Sequence, residues 1–122
     1  MAVIEAIATT YLEADAASVE FTSIPATYEH LQLRWSARSD RGNTYDQAYL
    51  RLNGDTTVTY STHQMEGYGS TVVAGGVASR NSAFAFRLSG SQSNAAEFGT
   101  TVIDILDYAN ASKNTTISGI GG

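Results

Sequence analysis

The residues that could do chemistry are few and scattered. His30 and His63 are the only histidines, lie in different elements, and have no carboxylate at ligand spacing, so both read as turn or surface residues. Glu20, Glu29, Glu66 and Glu97 could supply a glycosidase pair, which needs two carboxyls roughly 5 to 10 Å apart. No motif brings any two of them together, and solvent-facing charge is the plainer reading. Asp40, Asp46 and Asp55 could collect at one end of a sandwich and bind calcium through oxygen. They lack calcium-loop spacing and read as turn formers. Gly67, Gly69, Gly75 and Gly76 do not follow a strand and open a helix, as a phosphate cradle requires. With no nucleophile, base and orienting group placed together, the chain reads as a non-enzyme without cofactor or metal.

Contact chemistry is better represented. Trp35 shares its face with Leu31 and Leu33 and is expected in the core. Tyr49 falls on the polar face of its run, while Tyr45 and Tyr68 lie in loops. These three are the candidates for contact with a neighbouring subunit, where tyrosine is enriched, or with a glycan. Arg34, Arg38 and Arg51 are expected on the polar face of adjacent strands, forming a surface that meets carboxylates.

Those side chains must be positioned by a chain of 122 residues, which is enough for one domain and one core. Seven basic residues against twelve acidic ones give a net charge of −5. That balance argues against nucleic-acid binding through phosphate contacts. Charged residues make up only 16% of the chain, so its polar surface is built mainly from Ser, Thr, Asn, Gln and Gly. The absence of cysteine removes disulfides and thiolate metal sites, leaving packing and partner subunits to hold the fold. The opening MAVIEAIATTYLEAD has no basic region before its apolar residues and does not read as a signal peptide. No apolar run approaches the ~20 residues of a membrane span, so synthesis in a cytoplasm without membrane insertion is expected.

Period-2 alternation is the dominant pattern. Val3 to Leu12 reads as a strand rather than the competing helix over residues 2–17, because its β-branched and aromatic residues favour the sheet. Val19 and Phe21 begin a second run, which Pro25 closes. Leu31, Leu33, Trp35 and Ala37 alternate with Gln32, Arg34, Ser36 and Arg38. Ala48, Leu50 and Leu52 then alternate up to an Asn53-Gly54-Asp55 turn. Thr56 to Ser61 is expected to return as a strand paired with that run, and His63 to Arg80 to form a long glycine-containing loop. Further strands are read at Ala83–Leu88, Thr100–Leu106 and Thr115–Ile120. Asp104 interrupts the apolar pattern of its run and needs a hydrogen-bonded partner if buried. About eight short strands without a convincing helix predict an all-β fold, an antiparallel β-sandwich of jelly-roll type. The chain's end on Gly121-Gly122 directly after a strand suggests a sheet completed by a neighbouring subunit, or a shortened chain.

Three segments carry a resemblance: FTSIPATYEHLQLRWSARSD at 21–40, LRLNGD at 50–55 and FGTTVIDILDYAN at 98–110. Together they resemble a family of tailed-phage virion proteins, common in cyanophages and labelled tail-fibre, tail or hypothetical structural proteins. The resemblance covers residues 10 to 118. Members of that family continue past the position of Gly119 with further hairpins and vary over Gly67 to Arg80. What it implies is a structural or adhesive role on the exterior of a virion, with no catalytic residue. The expected partners are copies of the chain itself, as a trimer, and other virion proteins. The resemblance places the chain on the tail or fibre, with capsid decoration as the neighbouring option. A carbohydrate-binding module recognising host surface glycan is the alternative.

Overall fold

The computed structural model describes residues 3–122, and among them the regular structure consists entirely of strands, without a helix. Seven strands follow in order: β1 (His30–Ala37), β2 (Tyr45–Leu50), β3 (Tyr60–Tyr68), β4 (Thr71–Arg80), β5 (Ala83–Ser89), β6 (Gly99–Leu106) and β7 (Thr116–Gly121). They pair antiparallel in three sheets, ordered β1-β6-β7, β2-β5 and β3-β4. A parallel bridge from Arg38 to Ser89 joins the end of β1 to the end of β5.

The central strand β6 explains where the core sits. Its Thr101, Ile103 and Ile105 alternate onto one buried face. In register beside them stand Trp35, Leu33 and Leu31 from β1 and Gly121, Gly119 and Ile117 from β7. The expected alternations of β1 and β6 therefore meet on one face, with Ile103 fully buried and Trp35 half-buried. On the opposite face Asp104 finds the partner it requires, accepting from Gln32 Nε2 at 2.8 Å.

β5 covers the buried face through a bulge. Pairing with β2 slips between Gln47–Arg87 and Tyr49–Phe84, leaving Ala85 and Phe86 opposite the single residue Ala48. An extra residue at a bulge breaks the alternation of side chains. Ala85 and Phe86 accordingly both contribute to the core cluster, with Phe86 at φ 89°. A Cβ built on Gly119 would lie 2.7 Å from the Phe86 ring and 2.7 Å from the Val102 carbonyl oxygen. Gly119 is thus a packing site in β7, vacated for an aromatic ring.

Four expectations are corrected. Residues 3–29 contain no strand, at neither Val3–Leu12 nor Val19–Phe21, because β-branched composition makes a ladder only where a partner strand is available. Residues 56–59 form turns, and β3 starts at Tyr60. There the Asp55 carboxylate accepts from the Thr57 amide at 2.8 Å and from the Thr59 hydroxyl at 3.0 Å, local bonds that displace a ladder. The Asn53-Gly54 turn has positive φ at both residues, yet β2 pairs with β5, and β3 with β4. Finally, His63 to Arg80 is no loop: it supplies most of the β3-β4 hairpin, which turns at Gly69 with φ 56°. Gly76 stands opposite His63, whose ring occupies the place of the missing side chain.

Gly119→Ala should lower unfolding free energy by about 1–3 kcal/mol, as expected for overpacking. Gly75→Ala, where a Cβ meets nothing within 4 Å, should leave it unchanged or raised by up to about 1 kcal/mol. Urea denaturation of the two variants distinguishes a packing glycine from one that merely interrupts a strand pattern.

Candidate functional site

Arg38, expected on a solvated polar face, instead clamps a loop. It lies just past β1, where its guanidinium turns inward over residues 91–97. Nη1 donates to Ser93 Oγ, Asn94 O and Glu97 O at 3.0, 2.7 and 3.0 Å. Nη2 donates to Ser91 O and Ser93 O at 3.1 and 3.2 Å. Arg34 stays on the exposed face of β1, with Nε donating to Gln32. Arg51 donates to the Asn81 carbonyl at the start of β5. Because β1 and β2 belong to different sheets, the three arginines do not form the shared carboxylate-binding face that their alternation suggested.

The tyrosines also separate. Tyr45 belongs to β2 rather than to a loop, and the Arg87 guanidinium covers its ring at 4.0 Å. Arg87 in turn makes a two-pronged pair with Glu66, at 3.0 and 2.8 Å, tying the β3-β4 hairpin to β5. The neighbouring carboxylate holds that guanidinium more firmly protonated, against the effect of its partial burial. Tyr49, 58% exposed, stands edge-on to Phe84 and donates to Gln47 Oε1 at 2.6 Å. Tyr68 is the last residue of β3, exposed at the tip of the hairpin.

Glu29, His30 and Asp107 come together with ligand-capable atoms within 4.8 Å of one another. This corrects the expectation that His30 lacks a carboxylate at ligand spacing: Asp107 arrives through the β1-β6 pairing, 77 residues away. Yet His30 Nδ1 already accepts from the Asp107 amide at 3.0 Å, and the Lys113 ammonium pairs with the Asp107 carboxylate. The amide thus engages His30 Nδ1 and the ammonium one Asp107 oxygen, contacts that fasten the β1-β6 end.

Asp46 and Asp55 are likewise satisfied locally. Asp46 accepts from Arg41, Ser39 and the Gln47 amide, and Asp55 accepts from Thr57 and Thr59. Arg41 chiefly holds Asp46 below the ordinary carboxylate range, the Thr57 hydroxyl does so for Asp55, and Lys113 for Asp107.

A shallow depression of about 390 Å³ lies between the ends of β6 and β7, lined by Thr100, Thr101, Val102 and Ile120, without an ionisable side chain. The conspicuous feature lies elsewhere, on the outer hairpin. Every residue of β4 is exposed. Val72 at 70% and Met65 at 78% project from one face, while Val73 and Val77 lie on the other. Sequence reasoning missed this surface by reading its glycines as a loop. Val72-Val73 and Val77, set apart by small residues, were the available signal.

Comparison with protein-family models, curated proteins and solved structures finds no match. The geometry therefore stands by itself: polar clusters that fasten loops and strand ends, and an exposed apolar strand on the outer hairpin.

Arg38→Lys should cost about 1–3 kcal/mol, since one ammonium cannot reach five acceptors and the loop loses charge-assisted bonds that hold it. Faster hydrogen exchange should appear in residues 90–98, while unchanged exchange would remove Arg38 as the clamp. The three depressed aspartates stabilise the fold at neutral pH. Their contribution should fall as pH drops from the unfolded value near ~4 through the lower folded values. Asp46→Asn should make that acid loss shallower, read from denaturation midpoints between about pH 5 and pH 2.

Proposed function

We propose that this chain is a non-enzymatic structural protein on the exterior of a tailed-phage virion, acting by assembly with copies of itself and with other virion proteins. The resemblance at residues 21–40, 50–55 and 98–110 supports the phage assignment, and favours a tail-associated or fibre position over capsid decoration. The finer architecture under this reading is a jelly-roll β-sandwich whose layers neighbouring subunits complete, in a trimer made in the host cytoplasm.

One observation carries the assembly part. The surface is 9305 Å² for a mass of 13.0 kDa, whereas a compact monomer of that mass exposes about 6,300 Å². The surplus of roughly 3,000 Å² falls in the range that obligate interfaces bury. Correspondingly, among the described residues the buried apolar core is limited to Ala83, Ala85, Ile103 and Ile105. Large apolar residues remain exposed in residues 3–24 and on the hairpin.

Glycan adhesion is the second reading. Tyr49 favours it, because an exposed ring beside the Gln47 amide offers both a stacking face and polar groups to a sugar.

Light scattering at several protein concentrations and two salt concentrations tests the first reading. A trimer or larger species that persists on dilution is expected. A well-folded monomer throughout would sink the assembly reading and leave adhesion, to be followed by glycan binding with a Tyr49→Ala control.

A further inference from the structure

The two largest unpartnered features of the chain complement each other. β4 runs for 10 residues and pairs only with β3, leaving its other edge open. An open strand edge is a template for another strand unless charge, proline or a bulge blunts it. In TVVAGGVASR such guards are confined to the last three residues, a bulge at Ala78-Ser79 with Ser79 at φ 55° and then Arg80, which has no carboxylate partner among the described residues, so Thr71–Val77 remains a regular open edge.

Residues 3–12 supply the matching half. VIEAIATTYL has neither glycine nor proline and is rich in β-branched and aromatic residues, yet makes no backbone ladder within its own chain. Val3, Ile4, Ile7, Tyr11 and Leu12 are all exposed. This run is large-residued where β4 is small, and it equals β4 in length. Among the described residues the segment's own side-chain tether is slight: one exposed bond from the Tyr28 hydroxyl to Glu5 at 3.1 Å.

Charge selects between possible occupants of the edge. Residues 1–29 hold five of the twelve acidic residues and none of the seven basic ones. The remainder carries seven of each, so the whole net charge of −5 resides in the N-terminal segment. Two such segments repel one another, whereas a neutral body with an unpaired Arg80 attracts them.

We propose that residues Val3–Leu12 of one copy add as an antiparallel strand to the free β4 edge of a neighbouring copy, with Glu5 beside Arg80. Backbone hydrogen bonds supply affinity in such strand addition, and side chains on alternate faces supply register. With Glu5 opposite Arg80 and Ala6 spanning the Ala78-Ser79 bulge, as Ser61 does on the β3 side, Tyr11 stands opposite Val73. Each copy then donates one strand and receives one, an exchange that builds a ring or a two-fold pair where its rotation closes and a filament where it does not. This inference rests on the assembly reading above and specifies its contact.

The cysteine-free chain allows a direct test. Tyr11→Cys and Val73→Cys chains are mixed, oxidised mildly and resolved by mass. A mixed covalent dimer that forms faster than either homodimer, and whose yield drops with Glu5→Lys and recovers when Arg80→Glu is added, is the expected result. Dominant Val73→Cys homodimers would instead establish β4-to-β4 pairing and overturn the strand donation while leaving assembly intact. An intrachain disulfide in the double variant would show the segment closing on its own β4, again overturning it. Light scattering of the unmodified chain separates these outcomes from failure of the assembly reading: a monomer there removes both proposals.

Discussion

Phe86 lies on Gly119, and the relation between two of the three sheets depends on that contact. The face formed by Leu31, Leu33 and Trp35 with Thr101, Ile103 and Ile105 is apolar and would otherwise meet water. The bulge in β5 covers it by directing two consecutive residues, Ala85 and Phe86, into the same cluster. Holding an aromatic residue at φ 89° costs of order 1–3 kcal/mol. Burial of a ring offsets that cost only if the opposite strand has room, which is why β7 has glycine at this position.

Packing of this kind ends at β5. The β3-β4 hairpin is joined to it mainly by polar means, through Arg87 with Glu66 and through the Thr62 hydroxyl near the Phe84 amide. A bidentate pair fixes orientation well, but it shields little apolar area. The hairpin therefore keeps a defined position while both faces of β4 remain wet. Residues 3–27 are exposed throughout, and so contribute surface without contributing core.

How much of this was legible followed from the range of the interactions involved. β1 and β6 were readable from alternation because each turns one face to the core, and burial writes the period into the residue types, whereas β7, exposed almost throughout, was readable from its β-branched residues and β5 despite the bulge that breaks its alternation. Asp104 was also readable as a residue needing a partner, although Gln32 could not be named before the register was known. The hairpin was hidden because its glycines serve the strand pairing: Gly76 makes space for the His63 ring, a cross-strand relation invisible along the chain. The reverse error occurred at residues 3–12 and 56–59, where composition suited a strand but pairing partners or local Asp55 bonds decided otherwise. Arg38 was misplaced for a similar reason. Its position continued the polar alternation of β1, but the strand ends at Ala37, and the carbonyls of residues 91–97 capture the guanidinium.

The regular part of the β4 edge, Thr71–Val77, is a hazard for any chain that displays it, since every copy offers the same template to every other. Glycine and alanine make the strand smooth, and Arg80 alone interrupts its neutrality. The asymmetric charge distribution limits the danger physically. Concentrating −5 in one segment makes the uncapped chains repel while the bodies remain uncharged. Salt screens such repulsion over about 8 Å at physiological strength, so it slows encounters at a distance more than it weakens close contact. Within the proposed strand addition, the segment that closes the edge is also the one that keeps unclosed copies apart. A single stretch of sequence then serves solubility before assembly and pairing after it, with its acidic residues meeting solvent or Arg80 and its apolar residues meeting β4.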